Sequence, residues 1–233
     1  TAVNCDGTLM YVDNRCQVRA WAGGEAQVVS GPGLAELIRK VDATDLRAWT
    51  FAADGHLFYV LTLGANSTWV YDLNGAGERW TTFGSIGYDY WRAHLGCSIG
   101  GTVLAADRIS SQIYRLDPDR RTDGTDQFIV EFCAMIEGSD IPQPLNNVAV
   151  LCDLGDVPRN GQGSEPVIQM AKSGNQGKTF GEWQERPLGQ TGDYTAVPIW
   201  NAIGEVPRFL GVILKFRIAD PVGRIFKRVF VNT

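Results

Sequence analysis

The stretch Asp54-Gly55-His56-Leu57-Phe58-Tyr59-Val60 decides the fold, because related stretches recur along the chain. Residues 6–12 read Asp-Gly-Thr-Leu-Met-Tyr-Val, residues 100–106 read Gly-Gly-Thr-Val-Leu-Ala-Ala, and residues 146–152 form a fainter copy, Asn-Asn-Val-Ala-Val-Leu-Cys. The copies share one register with steps of 48, 46 and 46 residues, marked by Gly7, Gly55, Gly101 and Asn147. A repeat of this length is typical of the four-stranded blades of a β-propeller.

The local chemistry of the repeat supports an all-β fold. Gly or Asn supplies the positive φ of a tight turn, and the β-branched and aromatic residues behind it suit a buried strand. We therefore predict four-stranded antiparallel blades of 46–48 residues, with units near 1–47, 48–93, 94–140 and 141–233. A Gly/Pro-rich insertion at 154–166 is expected to be exposed and mobile. The chain begins with Thr1, so we expect the C-terminal part of a larger propeller rather than a small closed ring.

Composition narrows the possible classes of function. The 233 residues carry a net charge of −5 and are 44% hydrophobic, which is ordinary for a globular protein with a real core. This mild acidity argues against a protein that binds nucleic acid mainly by neutralising phosphates. The longest apolar stretch near the C-terminus is too short to cross a bilayer, so no membrane span is expected. Five cysteines without a Cys-x-x-Cys pair, and only two histidines, predict buried reduced thiols and no metal site.

One named motif occurs in the last third of the chain. Residues 173–180 match the Asp-box pattern Ser-x-Asp-x-Gly-x-Thr-Trp, through Ser173, Asn175, Gly177, Thr179 and Phe180. Asn replaces the usual Asp, and Phe replaces the usual Trp. The polar side chain at 175 is expected to bind backbone amides inside the turn, while the aromatic residue packs beneath the hairpin. In propellers the box lies away from the catalytic centre, so we predict a structural role for it.

No constellation of residues indicates an enzyme, and no cofactor is expected. A sialidase-like site would need an arginine triad with a tyrosine and two carboxylates. The chain offers Arg47, Arg92, Arg115 and Arg217 as candidates, but no motif singles them out. His94 is expected to be a hydrogen-bonded strand histidine, and the acidic loop between Asp117 and Asp126 a solvated loop rather than a calcium site.

The C-terminal part of the chain resembles a known family. The order is a strand at 166–170, the Asp-box, Trp183-Gln184-Glu185-Arg186, Leu188-Gly189 and finally residues 216–222, Phe-Arg-Ile-Ala-Asp-Pro-Val. This order is similar to the packaged-DNA stabilisation and tail-hub propellers of short-tailed bacteriophages, over about 70 residues. The resemblance implies a virion structural protein of the tail or head–tail connector, made in the host cytoplasm and without enzymatic activity.

The resemblance also implies partners. Such proteins form a homo-oligomeric ring, commonly a hexamer, that lies under the portal and adaptor, retains the packaged DNA and supports a tail needle or fibres. Arg217 and the basic run Arg224, Lys227 and Arg228 are the candidate interface. A neighbouring subunit, the adaptor and DNA in the channel are all open as its partner, and the alternative is a solvated strand face. The competing function is a carbohydrate-binding or sialidase-like Asp-box propeller.

Overall fold

The computed structural model describes residues 1–154, 163–190, 193 and 195–232, apart from the side chains of Leu154 and Arg224. The all-β prediction is confirmed, since the described residues form several small antiparallel sheets and a single α-helix. The chain divides into two compact units, Thr1–Arg120 and Arg121–Thr233. Most of the insertion predicted at 154–166 lies outside the described residues.

The first unit is a succession of three sheets, each with its strands in chain order. Sheet A contains β1–β4, which span Val3–Cys5, Thr8–Val12, Val18–Trp21 and Gln27–Val28. Sheet B contains β5–β8, which span Leu46–Ala53, His56–Leu63, Ser67–Asp72 and Trp80–Phe83. Sheet C contains β9–β11, which span Ala93–Ile99, Thr102–Asp107 and Ile113–Leu116. Helix α1, Pro32–Arg39, and a 3-10 turn, Ala43–Asp45, connect sheets A and B.

The repeated Gly motif forms the same turn in all three sheets. In sheet B, Asp54 and Gly55 have φ values of 51° and 80°, and Ala53 pairs directly with His56. Asp6-Gly7 and Gly100-Gly101 have the same pair of positive φ values and also join the first strand to the second. Two central residues at positive φ define the type I′ hairpin, whose twist matches that of the strands it connects. The sequence repeat therefore encodes three equivalent hairpins.

Sheet B is covered on both faces, because side chains alternate along its strands. Tyr59, Leu61 and Leu63 point toward sheet A and pack with Met10 of that sheet and Ile38 of α1. Trp49, Phe51 and Val60 point the other way and pack with Val103 and Ala105 of sheet C. We call the face of a sheet that looks toward the next sheet along the chain its forward face, and the opposite one its backward face.

The second unit has a different topology, because strands that are distant in sequence are neighbours in its two larger sheets. Its strands β12–β20 span Thr122–Asp123, Asp126–Gln127, Val130–Ile136, Gln143–Leu154, Val167–Ser173, Gln184–Pro187, Ile199–Val206, Val212–Ile218 and Arg224–Asn232. Sheet D has the order β14-β19-β16-β17, sheet E has the order β18-β15-β20, and β12 and β13 form a small hairpin. One core lies between sheets D and E; its fully buried members include Val148, Met170, Trp200, Leu214 and Phe216.

The second unit differs from the predicted third and fourth blades. Asn147 lies inside the long strand β15, at an irregularity in its pairing with β18, and not in a turn of positive φ. Residues Val130–Ile136 fall within the predicted third unit, 94–140, but they pair with Val212–Ile218. The structure therefore divides the chain near residue 120 rather than at 140, because β14 finds its partner far along the sequence. A blade is one four-stranded sheet, whereas the strands of residues 141–233 belong to two sheets and pair with partners that are not consecutive in sequence.

Because the hairpin between β5 and β6 requires positive φ at two adjacent positions, we predict that Gly55→Ala destabilises the first unit by about 1 kcal/mol. A Cβ at residue 55 has open space, so the cost is conformational rather than steric. Gly33→Ala is the matched control, since Gly33 lies in α1 with similarly open space and Ala favours the helix. Urea unfolding of both variants checks the prediction, and equal stability of the two would contradict it.

Candidate functional site: the Asp-box hairpin and the basic strands

The Asp-box closes the hairpin between β16 and β17 with side-chain hydrogen bonds. Ser173 Oγ accepts from the Gly177 amide at 2.9 Å and donates to Asn175 Oδ1 at 2.9 Å. The same Asn175 oxygen accepts from the Thr179 amide at 3.0 Å, and its Nδ2 lies 2.7 Å from Thr179 Oγ1. Gln176 and Gly177 take φ values of 61° and 81°, the left-handed region that glycine adopts without strain. The motif thus holds a tight turn through its own polar atoms.

The aromatic position of the box differs from the expectation. Phe180 is 37% exposed rather than packed beneath the hairpin. Its ring lies beside Lys215, whose ammonium nitrogen is 5.7 Å from the ring centroid. Lys215 is on the outward face of sheet D and also pairs with Glu131 at 2.6 Å. The loop that follows the box therefore crosses the outward face of the sheet instead of entering the core.

A polar row runs across all four strands of sheet D on that face. Glu131 pairs in register with Arg217, Arg217 with Gln169, and Gln169 with Glu185. Arg217 Nε donates to Gln169 Oε1 at 2.8 Å, and Gln169 Nε2 donates to Glu185 Oε1 at 2.6 Å. The Arg217 guanidinium also lies 4.4 Å from the Trp183 ring centroid, a cation–π contact. Arg217 is therefore fixed by neighbours in its own unit.

The terminal motif of the family resemblance attaches to the same strand. Asp220 Oδ2 accepts from the Val167 amide at 2.8 Å, at the first residue of β16. Arg217 binds Gln169 two residues further along that strand. Val222, the last residue of the motif, is fully buried. The segment 217–222 thus holds β16 at two points, which gives the Arg, Asp and Val of this motif a local structural role.

The other basic residues lie on sheet E, on its edge strand β20. Phe226 and Arg228 pair with consecutive residues of β15, so Lys227 between them is an extra, unpaired residue of a β-bulge. The side chains of Lys227 and Arg228 are both exposed. Lys227 pairs with Asp153 at 2.5 Å. The Arg228 guanidinium lies 5.7 Å from the Phe230 ring centroid. The predicted interface residues therefore fall on two different sheets, and the side chain of Arg224 lies outside the described residues.

Sequence reasoning singled out the hairpin and the arginines, but it missed Gln169 and Lys215. Neither belongs to a motif, and each becomes part of the row only because strands distant in sequence pair in register. The sequence does alternate over residues 213–217, and this alternation indicates that Lys215 and Arg217 lie on the same face of a strand.

The arginines proposed for a sialidase-like triad each have a local partner. Arg47 donates to the Thr44 carbonyl at 2.5 Å, and Arg115 pairs with Asp117 at 2.6 Å. Arg92 pairs with Asp107, whose side chain is fully buried. The Asp107 carboxylate also accepts from the Ser110 hydroxyl at 2.6 Å. These arginines are committed to neighbours of opposite charge or to backbone carbonyls, which gives them structural roles.

The Arg92 guanidinium holds the pKa of Asp107 well below its usual range, with help from the Ile109 amide and Ser110. A carboxyl whose pKa is lowered by folding stabilises the protein above its unfolded pKa, and the benefit is lost as the pH falls. We predict that Asp107→Asn costs about 2 kcal/mol at pH 7, because it removes the charge from a buried pair. The deficit should shrink progressively below about pH 4.

Thermal unfolding between pH 3 and pH 7 measures this prediction. Asp119→Asn is the control, because Asp119 is an exposed carboxyl of the same unit. A pH-independent difference between Asp107→Asn and the unmodified protein would contradict the ion-pair explanation.

Two further predictions, one about His94 and one about the cysteines, are corrected by the structure. Among the described residues His94 Nδ1 has no hydrogen-bond partner although the atom is buried. Burial lowers the pKa of His94, and Arg108 and Arg47 lower it further. All five cysteines are free thiols, but Cys97 and Cys133 are exposed rather than buried, because they lie on outward strand faces.

Within the described ranges no group of three or more His, Cys, Asp or Glu side chains is placed to hold a metal ion. None of the helices in that part of the chain has the length and apolar character needed to span a bilayer. No protein-family model matches the sequence, and no curated protein matches it with significance.

We predict that Asn175→Ala destabilises the second unit by about 1 kcal/mol, because the Thr179 amide and the Ser173 hydroxyl lose their shared acceptor. Asn175→Asp is the matched variant, since it keeps that acceptor and restores the residue usual in the motif. Amide hydrogen exchange at Gly177 and Thr179, with thermal unfolding of the whole protein, provides the measurement. Equal effects of the two substitutions would refute the assigned role of the Asn175 oxygen.

Proposed function

We propose that this chain is a structural protein of the tail or head–tail connector of a short-tailed bacteriophage. In this role it assembles as a ring under the portal and adaptor, retains packaged DNA and supports the tail. It would be made in the host cytoplasm, become part of the virion and act through its interfaces rather than through catalysis.

One observation carries the proposal. The segments that resemble the phage family, at 166–170, 183–186 and 216–222, come from three neighbouring strands of sheet D and the loop after one of them. Arg217 and Asp220 fasten the last of these segments to the first. Motifs separated by about 50 residues thus form one local structural unit, as expected if the resemblance reflects a common fold of this region.

We further propose that sheets A, B and C are blades of a β-propeller. Each is a meander that begins with a type I′ hairpin or its Gly-Gly equivalent, and the repeat spacing is 46–48 residues. Sheet B packs face to face on sheet A through one core and on sheet C through another, as successive blades do.

The test is assembly with a purified portal–adaptor complex, followed by light scattering, native mass spectrometry and negative-stain imaging. We expect a discrete ring of this protein on the complex. Charge reversal at both Arg224 and Arg228 should weaken binding by at least about tenfold without unfolding the protein, because Arg228 is an exposed cation on an edge strand, and such cations contribute to docking and not to the core.

Arg15→Glu serves as the control, since Arg15 is an exposed arginine in a loop of the first unit. If the unmodified protein does not bind the portal–adaptor complex, the connector function is refuted. Unchanged binding by the doubly reversed variant would refute only the role given to the basic strand.

The polar row of sheet D supports a second candidate, a carbohydrate-binding protein. Trp183 lies over Arg217 beside Gln169 and Glu185, and sugars bind where an aromatic ring adjoins hydrogen-bonding side chains. A glycan array with the unmodified protein and Trp183→Ala tests this function. Binding that the substitution abolishes would favour it over the connector.

A further inference from the structure

Two arginines from different sheets are anchored at the same end of the contact between sheets B and C. Arg47 follows Leu46, the first residue of β5, which pairs with Leu63, the last residue of β6. Arg108 follows the last residue of β10, and its Nη1 donates to the carbonyl of Gly64, the residue after β6. The Arg108 side chain therefore reaches from sheet C to the end of sheet B at which Arg47 lies.

The hydrogen bonds of these two arginines fix their side chains but leave donors free. Both bonds of Arg47 come from Nη1, to the Thr44 carbonyl at 2.5 Å and to the Leu46 carbonyl at 2.9 Å. The Arg108 guanidinium also lies 4.8 Å from the ring centroid of Tyr90. Both arginines are exposed, and within the described part of the chain neither forms a salt bridge. Their Nε and Nη2 groups are available to a ligand.

His94 lies at the corresponding end of sheet C. In β9, Ala93 pairs with Asp107, and His94 is the extra residue of a bulge beside the end of β10 from which Arg108 extends. Among the described residues, its buried Nδ1 has no hydrogen-bond partner. Burial lowers the pKa of His94, and the charges of Arg108 and Arg47 lower it further, so both guanidinium groups act on this imidazole.

The indole N–H of Trp49 is a further donor in the same contact. Trp49 follows Arg47 by two residues on β5, so both lie on the forward face of sheet B. A Cβ at Gly96, two residues after His94, would lie 2.2 Å from the Trp49 ring. Trp49 is only 3% exposed, and its Nε1 has no partner in the described ranges. Since buried donors are normally paired, this contact holds more donors than acceptors.

The positive charge at this place is not balanced by a carboxylate. Asp107 precedes Arg108 but is bound by Arg92. Asp45 lies beside the turn after β6, yet it pairs with neither arginine in the described structure. No described carboxylate is among the groups that shift the pKa of His94. We call Arg47, Arg108, His94 and Trp49 the donor cluster, and its charge and donors suit an anion.

The number of donors favours a phosphate group over a carboxylate. A carboxylate has two oxygens, and one guanidinium can engage both in a bidentate pair. A phosphate has at least three acceptor oxygens and carries up to two charges at neutral pH. Two guanidinium groups on different sheets, with an imidazole beside them, match the larger set of acceptors.

We propose that the donor cluster binds a phosphate group, presented as inorganic phosphate or as a small phosphate ester. The phosphate oxygens accept from the free nitrogens of Arg47 and Arg108 and from the imidazole of His94, so the ligand joins sheet B to sheet C. This binding site goes beyond the proposed function and does not depend on it.

The two histidines of the chain allow a direct test with an internal control. His56 begins β6, at the opposite end from Gly64, and pairs with Asp72. Titration with inorganic phosphate, at constant pH and ionic strength, should shift the ring NMR signals of His94 and leave those of His56 unchanged. We expect a dissociation constant of about 1 mM or tighter, and a thermal unfolding temperature that rises with phosphate.

Glycerol phosphate and acetate distinguish the possible ligands. A response of His94 to inorganic phosphate alone identifies the free ion as the ligand, whereas an equal response to glycerol phosphate shows that an ester is accepted. Acetate should bind at least about tenfold more weakly than phosphate, because it offers fewer oxygens and less charge.

Substitution of each arginine tests the assigned residues. Arg47→Gln and Arg108→Gln should each weaken phosphate binding by at least about tenfold. Arg39→Gln is the matched control, since Arg39 is an exposed arginine of α1 in the same unit. Because Arg108 also donates to the Gly64 carbonyl, Arg108→Lys is a second variant that keeps a charge and a donor, and it should bind phosphate less weakly than Arg108→Gln. Thermal unfolding without phosphate verifies that the variants are folded.

Three results would overturn the proposal. The first is a His94 signal that does not respond to phosphate. The second is an equal response of His56, which would indicate a general effect of the salt. The third is unchanged phosphate binding by folded Arg47→Gln and Arg108→Gln. Acetate binding as tight as phosphate binding would overturn the assignment of a phosphate group.

Discussion

The burial of sheet B on both faces is the constraint on which the first unit depends. Residues 59–63 of β6 are all buried; the odd positions belong to one hydrophobic core and Val60 to another. Tyr59, Leu61 and Leu63 pack against sheet A and α1, while Val60 packs against sheet C. Even the polar member of this run, Thr62, is fully buried and lies 3.4 Å from the hydroxyl of Thr68, so that neither polar atom is left without a partner. A strand covered on both sides cannot slip by one residue without exchanging its two cores.

The second unit depends on a single core between two sheets instead. Trp200 of sheet E is fully buried, contacts the Phe216 ring of sheet D at 5.8 Å between centroids, and donates its indole N–H to the Gln184 carbonyl at 3.1 Å. Aromatic residues bury large areas and still satisfy a polar group at one end. With the core confined to the inner faces, the outward faces of sheets D and E are free to carry the charged rows. The polar row of Arg217 and the basic strand of Arg228 are consequences of this arrangement.

Features fixed by a few consecutive residues could be read from the sequence. Asp54 and Gly55 form a type I′ turn between strands that pair directly, and Ser173, Asn175 and Gly177 close the Asp-box turn with their own side-chain and backbone atoms. The prediction for Phe180 is wrong because the surroundings of this side chain are not set by residues close in sequence. Its environment depends on Lys215, which is 35 residues away and arrives only when β19 joins β16. The prediction of a turn at Asn147 is wrong for the same reason, because β15, which contains Asn147, pairs with β18 on one side and β20 on the other.

The sequence alone therefore determined that the chain is all-β, that it turns tightly at Gly7, Gly55 and Gly101, and that residues 173–180 form a closed hairpin turn. These properties follow from backbone preferences and short-range hydrogen bonds, which act within a few residues. Only the tertiary structure decided that β14 pairs with β19, that Arg217 and Arg228 lie on different sheets, and that the Ile113 side chain of sheet C is exposed. Those outcomes depend on which distant strands become neighbours, and hydrophobic burial selects them without regard to separation along the chain.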